Sequence, residues 1–144
     1  MIRMPIALLL GLSSAAVMAQ MTPVGLWTTI DDKTGQQKSQ VRIVDTAGVV
    51  SGKIERLLDP KDKADAVCTE CSDDRKNKPI VGLEIIRGAK KVDGKDNWEG
   101  GKILRPNDGK NFTLRLTPIE AGKKLEVRGS FFGIGVTQIW IRAQ

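Results

Sequence analysis

The chain has 144 residues, 23 basic and 17 acidic, with a formal net charge of +6. It contains no histidine and no tyrosine, which excludes Ser–His and Cys–His nucleophile activation within one chain and any His-liganded zinc site. The charges are interspersed, and the densest run, Asp73-Asp74-Arg75-Lys76-Asn77-Lys78, nearly cancels itself, so no nucleic-acid face is expected.

Met1-Ile2-Arg3-Met4 carries one positive charge, an apolar run follows from Pro5 to Val17, and Val17-Met18-Ala19 provides a small-residue exit. Charged head, short apolar middle and small exit describe a secretory signal peptide over residues 1–19. The run falls short of the roughly 20 apolar residues a membrane span needs. Residues 20–144 are therefore expected as one exported domain, periplasmic or secreted, without a transmembrane segment.

The mature region opens with Gly25-Leu26-Trp27-Thr28-Thr29-Ile30, rich in aromatic and β-branched residues that suit a pleated, half-buried surface. Asp31-Asp32-Lys33-Thr34-Gly35 is turn chemistry. A second strand is predicted over Ser39–Asp45, where Val41 and Ile43 alternate with Gln40 and Arg42, and a third over Val49–Leu58, with Val50, Gly52 and Ile54 on one face. From Asp59 to Lys78 the alternation stops. This stretch reads as a surface loop that contains Cys68 and Cys71, with one or two helical turns open between Lys61 and Val67. Alternation returns in predicted strands over Ile80–Arg87, Trp98–Leu104, Asn111–Leu116, Lys124–Gly129 and Val136–Arg142. Gly100-Gly101 marks a bulge or a close backbone approach. Asn107-Asp108-Gly109 marks a tight turn, and Phe131–Gly135 a Gly-punctuated corner.

About eight short strands with turns between most of them predict an all-β fold, a single up-and-down antiparallel barrel. The interior of such a barrel fits packed side chains or one small ligand. An outer-membrane barrel would need uncharged lipid-facing sides and aromatic girdles, and these strands offer neither.

Gly25-x-Trp27 is open to two readings: an ordinary core tryptophan at a strand start, or the plug of a closed barrel end. The motif resembles the first strand of lipocalins and related calycin barrels, in which the Trp closes one end and an Arg from the last strand packs across its ring. Arg142 best matches that partner, and Arg128 is second. A wider pattern carries a second resemblance: Pro23-x-Gly25-x-Trp27-x-Thr29-x-Asp31-Asp32, Gly52-x-Ile54, Cys68-x-x-Cys71, Gly101-x-Ile103-Leu104, Leu125-x-Val127-Arg128-Gly129 and Thr137-Gln138-x-Trp140-x-Arg142. It is similar to a family of small exported bacterial proteins catalogued as a domain of unknown function. The resemblance implies a lipocalin-like barrel in the cell envelope with no established activity. The chain departs from that pattern at Arg105, where an acidic residue usually precedes the Pro, and at Val136, where a basic residue usually precedes Thr-Gln.

Cys68 and Cys71 fit a structural disulfide in an oxidising compartment. Redox and metal-sharing alternatives lack support, because Glu70, Asp73 and Asp74 would raise a thiol's pKa and no further zinc ligands are at hand. Asp31-Asp32 and Asp73-Asp74 read as solvated turn residues. Trp98, Phe112, Leu114 and Trp140 are candidate ligand-contacting residues. The expected function is binding of a small apolar or amphipathic ligand, not enzymatic and without cofactor or metal. The alternative is an interaction or structural protein of the envelope that uses residues 59–78 to contact another envelope protein.

Overall fold

The computed structural model describes residues 21–144, so the expected signal peptide at 1–19 lies outside the described residues. Eight strands follow one another: β1 (Gly25–Ile30), β2 (Gln37–Thr46), β3 (Val49–Leu57), β4 (Glu84–Lys91), β5 (Trp98–Arg105), β6 (Lys110–Ile119), β7 (Lys124–Phe131) and β8 (Ile134–Arg142). Each pairs antiparallel with the next, and β1 pairs with β8, giving the closed up-and-down barrel that the alternation predicts. Closure leaves no free sheet edge. The seam is short, with Trp27↔Arg142 and Thr28↔Ile141 as its register partners.

Inward positions build the core in tilted rungs. Ile43, Gly52, Ile86, Ile103 and Phe112 are successive cross-strand partners from β2 to β6. Gly52 belongs in that rung because a Cβ there would sit 3.3 Å from Ile86 and 3.4 Å from Ile43. Val41, Val50, Leu114, Leu116, Leu125 and Trp140 complete the interior. The chain enters at the plugged end. The turns at 31–36, 105–110 and 131–134 and the loop before β4 stand at the other end, the mouth.

Three local expectations are corrected. The fourth strand is Glu84–Lys91, whereas Ile80–Arg87 was expected. Ile80–Leu83 forms a turn, with Gly82 at φ 92° and the Leu83 amide donating to the Ile80 carbonyl at 3.1 Å. Gly88, at φ 81°, does not end the strand. The β4–β5 register runs unbroken past Gly88 and Gly101, whose backbones approach so closely that a Cβ on Gly101 would strike Arg87 O and Ala89 N, while the register shifts fall between β3 and β4 and between β5 and β6. Residues 61–67 contain isolated turns and no helix. The Phe131–Gly135 corner is a hairpin turn of two residues, Phe132 at φ 49° and Gly133 at φ 78°, so β7 and β8 both run further than the alternation suggested.

The loop before β4 folds back on the barrel. Ile86 faces inward, yet its neighbours Ile85 and Leu83 are buried too, because the loop covers the outer side of β4 and β5 with Cys68 and Cys71. The Cys68–Cys71 disulfide, Cα–Cα 5.5 Å, pins the loop tip. Gly109 abuts the Glu70 backbone so closely that no Cβ fits there.

Candidate functional site

Trp27 fills the plugged end and is completely buried. Its Nε1 donates to the Pro23 carbonyl at 2.7 Å. The Arg142 guanidinium lies 4.2 Å from the Trp27 ring centre. From there it donates to the carbonyls of Thr22 (2.7 Å), Val24 (2.8 Å) and Gly122 (2.6 Å). One planar fork thus ties the chain entry, the β6–β7 turn and β8 together. Burial pushes its pKa down, but a guanidinium remains charged at any physiological pH. Gly25 makes the arrangement possible: at φ 138° a Cβ would stand 2.5 Å from Arg142 Nη1. Arg128, the second candidate partner, faces outward and donates to Thr137 Oγ1 at 3.3 Å.

Above the plug the barrel opens into a cavity of about 460 Å³. Ile54, Leu57, Ile103, Phe112, Val127 and Trp140 form its apolar wall. Thr29, Ser39 and Gln138 supply a polar stripe from the adjacent strands β1, β2 and β8. Thr29 Oγ1 and Ser39 Oγ are 2.8 Å apart, and Trp140 Nε1 donates to Gln138 Oε1 at 3.0 Å. These bonds orient the stripe and leave acceptor capacity facing the space. The Gln138 amide nitrogen stands 3.5 Å from Asp32, a long hydrogen bond that links the stripe to the β1–β2 turn. Ala66, Val67, Thr69, Glu70 and Ile80 from the loop form one side of the mouth.

Charge is confined to the rim. Lys38 lies 4.0 Å from Asp31 and 3.9 Å from Asp59. Arg105 covers the Phe112 ring at 4.8 Å and pairs with Asp108. That hydrogen bond holds the Arg105 pKa above and the Asp108 pKa below their ordinary values. Beside the mouth the loop is anchored by Arg75, which is only 6% exposed. It donates to the Glu84 carbonyl (2.8 Å), Asn111 Oδ1 (3.1 Å) and the Asp73 carboxylate. The Arg75 hydrogen bond lowers the Asp73 pKa to about 2. Asp74 makes a two-pronged pair with Arg87.

Of the four candidate ligand-contacting residues, Phe112 and Trp140 line the cavity. Trp98 and Leu114 lie outside its lining. Trp98 is paired with Leu116 and packs below the mouth, and Leu114 is closed into the core. Thr29, Ser39 and Gln138 were not identified as site residues from the sequence. Their signal was present, since Thr29 follows Trp27 by two positions and Gln138 precedes Trp140 by two, both in phase with inward side chains. Both cysteines are consumed by the disulfide. Among the described residues no group of three or more His, Cys, Asp or Glu is placed to hold a metal, and no helix is long and apolar enough to cross a membrane.

A closed eight-stranded barrel, plugged at one end by a Trp under an Arg and hollow at the other, is a lipocalin-like architecture. Residues 25–142 match the family described as "Uncharacterized protein conserved in bacteria (DUF2147)", and the chain belongs to that family. Among solved structures it is similar to protein HP1028 from Helicobacter pylori, which is described as belonging to the lipocalin family. The TM-score is 0.70 at 22% identity, over 84% of this chain and 82% of that one. No curated protein matches the chain in sequence. Arg105 and Val136, the two positions singled out in the sequence analysis, both line the cavity.

Proposed function

We propose that the protein is a binding module that holds one small amphipathic molecule in the barrel mouth without converting it. The observation that carries this reading is the cavity itself. Its volume of about 460 Å³ falls within the roughly 300–1,000 Å³ usual for ligand pockets. An apolar wall facing a stripe of hydroxyls and an amide suits a ligand with polar groups along one side or at one end. The charged residues that line the mouth are two cations, Lys38 and Arg105, and two anions, Asp62 and Glu70, so they guide a polar head without selecting a strongly charged one. We also propose that the chain is exported, for which the leader and the disulfide speak.

Native mass spectrometry and solvent extraction of protein purified from its own cell envelope test the reading, together with titration by a fluorescent anilinonaphthalene sulfonate. Adduct masses and saturable uptake of one probe are expected. Val136→Trp, which places a large ring in the cavity from a half-exposed position, is expected to weaken uptake at least about tenfold with little change in stability. An empty protein that takes up no probe would end this proposal. Recurrent cross-linking of residues 59–78 to one envelope protein would put an interaction role in its place.

A further inference from the structure

The largest exposed apolar side chains gather at one place. Phe132 and Ile134 are 90% and 75% exposed, and Phe131 and Val136 are also open to solvent. All four belong to the β7–β8 hairpin at the mouth. Phe131↔Ile134 and Gly129↔Val136 are register partners in phase with Leu125↔Trp140, so they continue the face that lines the barrel lower down. At the mouth that face meets no opposite wall. Phe112 in the cavity touches Phe131 edge-on at 5.9 Å, and Phe131 touches Phe132 at 4.5 Å. The apolar lip is thus continuous with the cavity.

The outer face of β7 and of the neighbouring strands β6 and β5 carries cations. Arg115 and Arg128 are direct register partners, and Lys102 opposes Thr113 one rung nearer the mouth. None of the three has a carboxylate within ion-pair distance among the described residues. Like charges directly opposite repel, and an external anion between them would relieve that repulsion. Phe132 lies four residues beyond Arg128. At about 3.3 Å per residue and a strand tilt of about 40°, that separates them by roughly 10 Å along the barrel axis. Apolar groups seated about 5–10 Å into an interface would therefore hold the arginines at the level of the lipid phosphates.

We propose that the β7–β8 hairpin docks the barrel on an anionic bilayer surface, with Phe131, Phe132 and Ile134 at the acyl boundary, Lys102, Arg115 and Arg128 against phosphates, and the mouth turned toward the lipid. An anionic surface supplies the counter-charge that these cations lack among the described residues, whereas a second copy seated lip to lip would present the same cations and supply none. The proposal does not depend on the cavity's being loaded.

Co-sedimentation with vesicles of equimolar phosphatidylglycerol and phosphatidylethanolamine tests it, against vesicles of phosphatidylcholine. The protein is expected to bind the anionic vesicles, at least about tenfold more weakly to neutral ones, and less as salt rises. Phe132→Asp/Ile134→Asp should reduce binding at least about tenfold. Arg115→Gln/Arg128→Gln should reduce it about fivefold per charge. Both double variants should keep the parent's probe uptake, the Asp pair should keep its melting temperature, and the Gln pair should keep or raise it. Should the Asp pair lower the melting temperature, Phe132→Ser/Ile134→Thr provides the same comparison. No binding to anionic vesicles, or equal binding by the hairpin variants, would overturn the proposal. So would a dimer of the parent in light scattering that the hairpin variants lose, which would seat a second copy on the lip.

Discussion

At the scale of single residues, Trp27 and Arg142 set the strongest expectations. The ring is removed entirely from water, so Trp27→Ala should destabilise by about 3–5 kcal/mol through lost transfer energy and a cavity. Arg142→Ala takes a charged donor from the Thr22, Val24 and Gly122 carbonyls, at a cost of about 1.5–3 kcal/mol. The double variant should lose less than the sum, because the guanidinium lies on the ring, with a coupling of about 0.5–2 kcal/mol. Urea unfolding of the four proteins reads this cycle, and strict additivity would separate the two residues. Gly25→Ala should mimic loss of the Arg142 contacts, since its Cβ would stand 2.5 Å from Nη1 and force the guanidinium away. Asp73 sets a pH dependence. Its pKa is lowered from 3.8 to about 2 by the Arg75 hydrogen bond, so the folded state binds fewer protons than the unfolded chain between those values. Its stabilising contribution is complete above the unfolded value and fades as pH falls toward about 2. The side chain is partly exposed, so the effect is screened. Melting temperatures between pH 5 and pH 2, with Asp73→Asn as comparison, should show a shallower acid decline in the variant.

At the scale of elements, the loop before β4 has its own fastening. Its disulfide closes a very short ring, Cys68 to Cys71, worth about 2 kcal/mol at most by loop entropy. Cys68→Ser/Cys71→Ser should therefore leave the barrel folded. Its visible effect should be faster amide exchange in residues 66–83 and faster escape of a bound probe, since Val67, Thr69 and Glu70 line the mouth. Arg75→Ala should cost more than the disulfide pair, about 3 kcal/mol, because buried carbonyl and amide acceptors lose a charged donor. The reverse order of these losses in denaturant titrations would mean that the disulfide, and not Arg75, holds the loop. The strands were legible from alternation wherever only one face is buried, as in Val41–Ile43, Leu114–Leu116 and Leu125–Val127. The start of β4 was not, because Leu83, Ile85 and Ile86 are all buried, two beneath the loop and one in the barrel, which erases the period of two.

At the scale of the whole molecule, the barrel is held shut by a seam with few ladder pairs. Arg142 and Gln144 reinforce it, the latter bonded across to Leu26, whose amide donates to the Gln144 carbonyl at 3.1 Å. The Trp27 plug is therefore part of barrel closure as well as of the core. Loss of the plug should raise amide exchange along β1 and β8 before the rest of the barrel opens, which hydrogen-exchange mass spectrometry resolves by segment. Uniform exchange in Trp27→Ala would show instead that the barrel opens as one unit.

The sequence by itself determined the class of fold, a count of about eight strands and the disulfide candidates, each written locally in alternation, turn residues and cysteine spacing. Gly25-x-Trp27 left open whether Trp27 is an ordinary core residue or the plug of one end, and the closed barrel with Arg142 on the ring decided it. The tertiary structure decided which inward residues meet a ligand-sized space. Phe112 and Leu114 have the same phase on one strand, yet Phe112 stands at the mouth and Leu114 is sealed below it, because strand tilt sets the height of each rung. It also decided that Thr29, Ser39 and Gln138, distant in the chain, form one stripe across the β8–β1–β2 seam. Phase along a strand is a property of neighbours in sequence, whereas height in the barrel and contact across its seam exist only once the sheet has closed.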